Sequence, residues 1–334
     1  MLAGMREEMK VLYIHPPEDH PAHIDFANTI NADSLSYPTP RNLMDVLKGL
    51  MNGIRIPDYD VYVVTGVEQA LAKKVFSKKK KIIYLIADEY FVGLTSGIPF
   101  KTPRWKRFLV EHLSGFVDGG IAISEFVKRE ASKILNCRIE VVYPHIPDNL
   151  YTALRNLNPD LEAHNIVSVG RHHPVNGMDI LVEAFRIVKK EYTDAELYII
   201  GRGHPKEWEK CDGIHVLGYV DDFSPFFQKS SLFALVGRGQ GFCTAAVEAM
   251  YAGLPAMVSE YTGAKEVVSE LGKQFITTLE PEDVANKIMH YFNLSYEERR
   301  KISKKARGLS AEFNKEKKCK EFKQKFEKML EEIK

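Results

Sequence analysis

The stretch from Leu232 to Ser269, LFALVGRGQGFCTAAVEAMYAGLPAMVSEYTGAKEVVS, constrains this chain more than any other. Leu232–Val236 is a short apolar run, the pattern of a strand covered on both faces in a parallel sheet. Gly237-Arg238-Gly239-Gln240 turns the chain. Ala245–Ala252 is a run of small residues fit to pack closely on a sheet, and Gly253-Leu254-Pro255 stops it. Ala256–Ser259 reads as a second strand, followed by a Gly-containing loop and a new helix from about Ala264. The outcome is a βαβα unit whose loops carry Gly, Thr and free backbone N–H groups at the carboxyl ends of its strands. Helix N-terminal amides and the helix dipole favour negative charge there, so a phosphorylated or nucleotide ligand is the expected occupant.

The same alternation runs through the rest of the chain. Met9–Ile14, Asp60–Thr65, Lys81–Ala87, Gly120–Ile123 and Ile139–Tyr143 read as strands of one sheet, with helices over Arg41–Met51, Trp105–Gly115 and Glu125–Asn136. A second sheet opens with Asn165–Gly170, passes through a helix ending near Lys190, and continues with Glu196–Gly203 and Ile214–Val220. Residues 149–164 hold Pro, Asn and Asp with little periodicity and are read as a linker between domains 1–148 and 165–310. Ala311–Lys334 is a charged helix with one apolar stripe, Phe313, Phe322, Phe326, Met329 and Leu330. Strands alternating with helices imply an α/β fold with doubly wound, Rossmann-like parallel sheets. At 334 residues there is enough chain for two such domains, each with its own core.

Charge decides which partners to expect. Forty-six Lys and Arg stand against 45 Asp and Glu, a net charge of +1, which argues against bulk binding of nucleic acid. Met1–Lys10 is charged and Val11–Ile14 is too short for the apolar core of a signal peptide. Cys137, Cys211, Cys243 and Cys319 are scattered without metal-like pairing, so the expected setting is reducing and cytoplasmic. Lys101–Phe108 interleaves Lys and Arg with Trp and Phe, a pattern compatible with peripheral contact at the inner face of a membrane as well as with a solvated helix face. His15, His20 and His23 flank the first loop with no standard ligand spacing, and no metal is expected. Asp58-Tyr59-Asp60 precedes a strand, where Asp is a common turn residue, and is not taken as a metal motif.

The motif from Gln240 to Pro255 resembles the signature of retaining glycosyltransferases of family 4, E-G-F-G-x4-E-A-M-x-x-G-x-P. Glu248 matches its second Glu. Gln240 stands in place of the first Glu, and Cys243 in place of a glycine. Val169-Gly170-Arg171 through Asn176-Gly177-Met178-Asp179 is similar to the family's V-G-R-x4-K-G-x-D, with Asn176 where the family has Lys. Val117–Asp148 resembles the end of the family's N-terminal domain, with His145 where Asn is usual, and the Gly-rich loop common after the first strand is missing. The resemblance covers Val117–Val268 well and the first hundred or so residues only loosely.

It implies a GT-B fold, two such domains facing across a cleft, with the last helix packing back on the N-terminal acceptor-side domain. It implies transfer of a sugar from a nucleotide-sugar to an acceptor with retention of configuration, without metal or other cofactor. Arg171 would hold the diphosphate of the nucleotide-sugar, since guanidinium is always charged and engages oxygens in a fork. Glu248 would accept hydrogen bonds from the ribose hydroxyls, and Gln240 would contact the transferred sugar. The backbone of Gly241, Phe242, Cys243 and Thr244 would meet phosphate or sugar oxygens. Asn176, Gly203, Gly218, Tyr219 and Val220 complete the expected nucleotide-sugar site, the last three beside the base. Asp88, after a central strand, is the candidate on the acceptor side, where the family often carries a His. The acceptor, whether glycan, lipid-linked or small molecule, is not legible.

Replacing Lys by Asn176 and Glu by Gln240 leaves three readings open. The enzyme has altered choice of sugar donor; the chain is a binding or scaffolding subunit whose site has decayed; or it is a sugar-nucleotide epimerase.

Overall fold

The computed structural model describes residues 9–37, 58–66, 80–87, 90–95 and 114–333, with residues 44, 45, 48, 108, 111 and 112 between them. Most of the helix expected over Arg41–Met51, about half of that over Trp105–Gly115, Asp88, and the Lys101–Phe108 patch apart from Phe108 lie outside the described residues. The chain forms two compact units, one of residues 1–144 with 315–334 and the other His145–Asn314. Residues 149–164, read above as a linker, lie within the second unit, where Asp148–Leu154 is a helix.

The first unit is built on six parallel strands: β1 (Val11–His15), β2 (Asp33–Ser36), β3 (Val61–Val64), β4 (Lys81–Ile86), β5 (Gly119–Ala122) and β6 (Arg138–Val141), in the order β2-β1-β3-β4-β5-β6. VYVV in β3 and KIIYLI in β4 are almost wholly buried, as strands covered on both faces must be. β2, DSLS, is different: a polar edge strand that pairs in parallel with β1 through Leu12–Asp33 to His15–Ser36. One face of the sheet is closed by the C-terminal helix Lys315–Glu332. Its Cys319, Phe322, Phe326 and Met329 join Tyr13, Phe26, Val63, Ile83 and Ile121 in one core, with Phe322 stacked on Phe26 at 4.7 Å. Gly119 makes room for it, because a Cβ there would lie 2.4 Å from the Met329 sulfur.

The second unit repeats the plan with β7 (Asn165–Val169), β8 (Glu196–Ile200), β9 (Ile214–Gly218), β10 (Leu232–Leu235), β11 (Ala256–Ser259) and β12 (Ile276–Thr277). All neighbouring pairs are parallel, in the order β12-β11-β10-β7-β8-β9. The amphipathic helix Met178–Glu191 buries Met178, Ile180, Leu181, Val182, Ala184, Phe185 and Val188. The small-residue helix Thr244–Tyr251 follows β10 and is buried from Ala246 to Tyr251. Helices Pro281–Phe292 and Tyr296–Ser310 complete the unit, the latter started by a capping box between Ser295 and Glu298. Strand order reverses between β7 and β10, and the carboxyl end of such a switch point is the place where open α/β sheets bind ligands.

Candidate nucleotide-sugar site

Two loops meet at that reversal. The loop after β7 runs Gly170-Arg171-His172-His173, makes a short 3₁₀ turn over Pro174–Asn176, and enters the helix at Gly177. Gly177 has φ +59°, and a Cβ on it would lie 1.8 Å from the Val236 carbonyl oxygen at the end of β10. Only glycine lets the two loops approach so closely. Arg238, in the turn after β10, ties them: its amide donates to the Val175 carbonyl at 2.6 Å. Its guanidinium grips Asp179 through two bonds of 2.6 Å and reaches the Pro174 carbonyl at 3.1 Å. Burial acts to raise the Asp179 carboxyl, but its hydrogen bonds and charge contact with Arg238 prevail and hold it below the usual range. Arg238 is thus committed to structure. The sequence analysis gave neither it nor Asp179 a role, although an Arg in a Gly turn opposite an Asp in a helix's first turn was the available signal.

Asn176 and Gln240, the two departures from the family signature, are partners. Gln240 Nε2 donates to Asn176 Oδ1 at 2.6 Å, and Asn176 Nδ2 donates to the Arg171 carbonyl at 2.6 Å. Asn176 is buried and Gln240 half-buried. The loop after β11 backs this pair: Gln240 forms a parallel bridge with Thr262, and its carbonyl accepts from the Gly263 amide at 3.1 Å. Ser259 donates to the Gly237 carbonyl and contacts the Thr262 hydroxyl at 3.2 Å. Gln240 Oε1 is buried with no hydrogen-bond partner among the described residues. It faces Gly237, where a Cβ would stand 2.8 Å from it. An orphaned acceptor of this kind costs free energy unless a ligand hydroxyl or amide completes it.

Arg171 lies at the mouth of this arrangement, exposed, and its guanidinium makes no hydrogen bond or ion pair among the described residues. His173 beside it is pushed down by burial, then by Arg171 and His172. His204 is buried and pushed down by desolvation; its Nε2 donates to the Gly170 carbonyl at 2.7 Å, which leaves Nδ1 unpartnered. His172 meets His204 and Trp208 edge-on at 5.5 and 5.8 Å. A cavity of about 200 Å³ opens here between His172, His173, Asp179 and Arg238.

Gly203, Gly218, Tyr219 and Val220 sit on the adjoining loops. The Gly201 amide donates to the Gly218 carbonyl at 2.8 Å, joining the ends of β8 and β9. Tyr219 is 62% exposed, and Arg202, which the sequence analysis left out, lies 4.6 Å over its ring. On the helix after β10, Glu248 is buried and its carboxylate has no hydrogen-bond partner among the described residues. Desolvation pushes it up to about 7. Cys243 occupies the cap position of that helix, its buried thiol pushed up to about 12. Its side chain makes no capping hydrogen bond, while its carbonyl accepts from the Ala246 amide at 3.2 Å. Phe242 stacks on Phe313 at 5.9 Å, which turns its ring to packing.

The three histidines of the first loop are engaged elsewhere in the first unit. His23 Nδ1 donates to Asp19 at 2.8 Å, His20 Nδ1 accepts from the Ala22 amide at 3.2 Å, and His15 Nε2 bonds to Ser34 at 2.8 Å. Among the described residues no group of three or more His, Cys, Asp or Glu could hold a metal ion, and no helix is long and apolar enough to cross a membrane.

Residues 163–293 match the family model described as Glycosyl transferases group 1. An uncharacterized glycosyltransferase of Haemophilus influenzae is 24% identical over 257 residues, 65% of this chain and 71% of that protein. Among solved structures, Anabaena HepE in complex with UDP and glucose superposes with a TM-score of 0.74 at 17% identity, covering 96% of this chain and all of HepE. Sucrose-phosphate synthase from Thermosynechococcus elongatus superposes with a TM-score of 0.77 at 13% identity, covering 96% and 99%. The fold is GT-B, and the comparisons support a glycosyltransferase.

Proposed function

We propose that this chain is a retaining glycosyltransferase of family 4 that uses a nucleotide-sugar, needs no metal, and has a retuned rather than a decayed site. The observation that carries this reading is the hydrogen bond between Gln240 and Asn176. A single charge kept at one of these two positions would face a neutral amide in a half-buried site, which is unfavourable. Here both positions are neutral and Gln240 Nε2 donates to Asn176 Oδ1, while Arg171 and Glu248 are kept.

In this reading Arg171 and the first-turn amides of Thr244–Tyr251 hold the diphosphate and stabilise its charge as the bond to the sugar breaks. Glu248 accepts the ribose hydroxyls, and Tyr219 with Gly218 and Val220 flanks the base. Gln240 Oε1 accepts from a sugar hydroxyl that an ionised carboxylate would otherwise bind. HepE was solved with UDP, which makes uridine nucleotides the first to test. Asp88 remains the candidate on the acceptor side, and the acceptor is a glycan, a lipid-linked glycan or a small molecule.

The test is calorimetric titration with UDP, GDP and ADP, then with the sugar nucleotides of the one that binds. Micromolar binding to one of them, lost about a hundredfold in Arg171→Ala, is expected. Absence of binding to all three would leave the scaffold reading. Asn176→Lys with Gln240→Glu separates the cases further, since the double variant weakens transfer by a retuned site and strengthens it in a decayed one.

A further inference from the structure

A second cavity of the second unit lies away from the loops of β7 and β10. It is a groove of about 610 Å³ between helices Asp148–Leu154 and Tyr296–Ser310 and the C-terminal end of Thr244–Tyr251. That last helix has eight residues, so its two ends are about 12 Å apart at 1.5 Å per residue. Its first turn faces the site above, and Tyr251 at the other end lines the groove.

The lining is cationic. Arg155, Lys304 and Arg307 contribute to it and no carboxylate does. Helix C-termini carry partial negative charge, and cations near them ordinarily serve to neutralise it. Arg307 does that here: it donates to the carbonyls of Arg155, Leu157 and Ala252 at 2.6, 2.8 and 2.7 Å, at the ends of two helices. Arg155 and Lys304 have no such use. Both are exposed, and neither side chain has a hydrogen bond or ion pair among the described residues. One wall is a pair of tyrosines, Tyr151 stacked on Tyr251 with centroids 4.1 Å apart. Tyr151 donates to the Ala311 carbonyl at 3.2 Å, and burial pushes the Tyr251 phenol up to about 12, so that phenol adds no negative charge at neutral pH.

Gly308 is the other wall. Glycine inside a helix is destabilising relative to alanine. Packing does not demand it, since a Cβ on Gly308 would meet nothing within 4 Å. Its lack of a side chain leaves the groove open beside Lys304.

We propose that this groove binds a phosphate-bearing anion, with Arg155 and Lys304 engaging the phosphate and the body of the ligand lying along the tyrosine wall towards Gly308. A volume of about 610 Å³ is larger than a bare phosphate needs and falls within the range of small-molecule sites. The chemistry is shared by a free phosphate ester and by the headgroup of an anionic phospholipid. The site is independent of the nucleotide-sugar reading, and its test does not use nucleotides.

The experiment uses the full chain and two probes. Glycerol 3-phosphate is titrated calorimetrically, and flotation is measured with phosphatidylcholine vesicles with and without phosphatidylglycerol. The variants are Arg155→Glu with Lys304→Glu, which reverses the charge, and Gly308→Gln, whose Cβ meets nothing within 4 Å and whose longer side chain adds bulk beside the groove. Binding of either probe by the wild type, weakened about tenfold or more in both variants, supports the site. Response to glycerol 3-phosphate alone identifies a soluble ester, and flotation only with phosphatidylglycerol identifies a lipid headgroup. Binding of neither probe by the wild type, or binding that both variants leave unchanged, overturns the proposal. UDP titration and thermal melting of each variant establish that its fold and its other site are intact.

Discussion

Glu248 sets a pH dependence that can be read from one residue. It is buried, unpartnered and pushed by desolvation from 4.5 to about 7. A folded-state value above the unfolded one means that the native chain holds this proton more tightly. Its contribution to stability is complete below about pH 4.5 and is lost as pH rises through about 7, a change on the order of 3 kcal/mol. Glu248→Gln should therefore flatten the stability profile between those values, as urea melts at pH 5 and pH 8 will show. A variant as pH-dependent as the wild type would contradict the assignment. If ribose hydroxyls donate to this carboxylate, UDP binding at pH 6 should also release protons, because hydrogen bonding favours the ionised form. The Asn176–Gln240 pair shows what a single position can hide. Each amide read alone looks like a lost charge, and together they form a neutral hydrogen-bonded contact.

At the scale of elements, the close approach of the β7 and β10 loops fixes the site. Gly177 combines φ +59° with a carbonyl oxygen where a Cβ would go. Gly177→Ala should cost about 3 kcal/mol or more and displace Arg171 and Asn176, which share its loop. Denaturation midpoints measure the first effect, and weakened UDP binding the second. A variant as stable as the wild type would mean that the loops are not in contact as described. The strands themselves are legible in sequence wherever both faces are covered. VYVV, KIIYLI, LFAL and AMVS are continuous apolar runs because helices pack on each side. β2, DSLS, has no such signature, since an exposed edge strand is held by main-chain pairing with β1 and not by burial of its side chains. β12, two residues long, is too short to show any pattern.

For the whole molecule, the division into units follows packing rather than chain order. Residues 315–334 belong with the N-terminal sheet, because Phe322, Phe326 and Met329 are buried in its core. Phe322→Ala should destabilise the first unit by about 3–5 kcal/mol through the cavity it leaves. Removal of 315–334 should abolish its cooperative melting while His145–Asn314 still melts as a unit. Differential scanning calorimetry distinguishes the two transitions, and a single unchanged transition would refute the assignment. Sequence by itself determined the α/β class, most buried strands and the phosphate-suited loops, because these depend on patterns within a dozen neighbouring residues. It also carried the GT-B resemblance on motifs of the same short range. Only the tertiary structure decided that Gln240 bonds Asn176, that Arg238 clamps Asp179, and that Arg155 and Lys304 share a groove. Those partners lie tens to more than a hundred residues apart, and they come together only once the second unit has folded around its sheet.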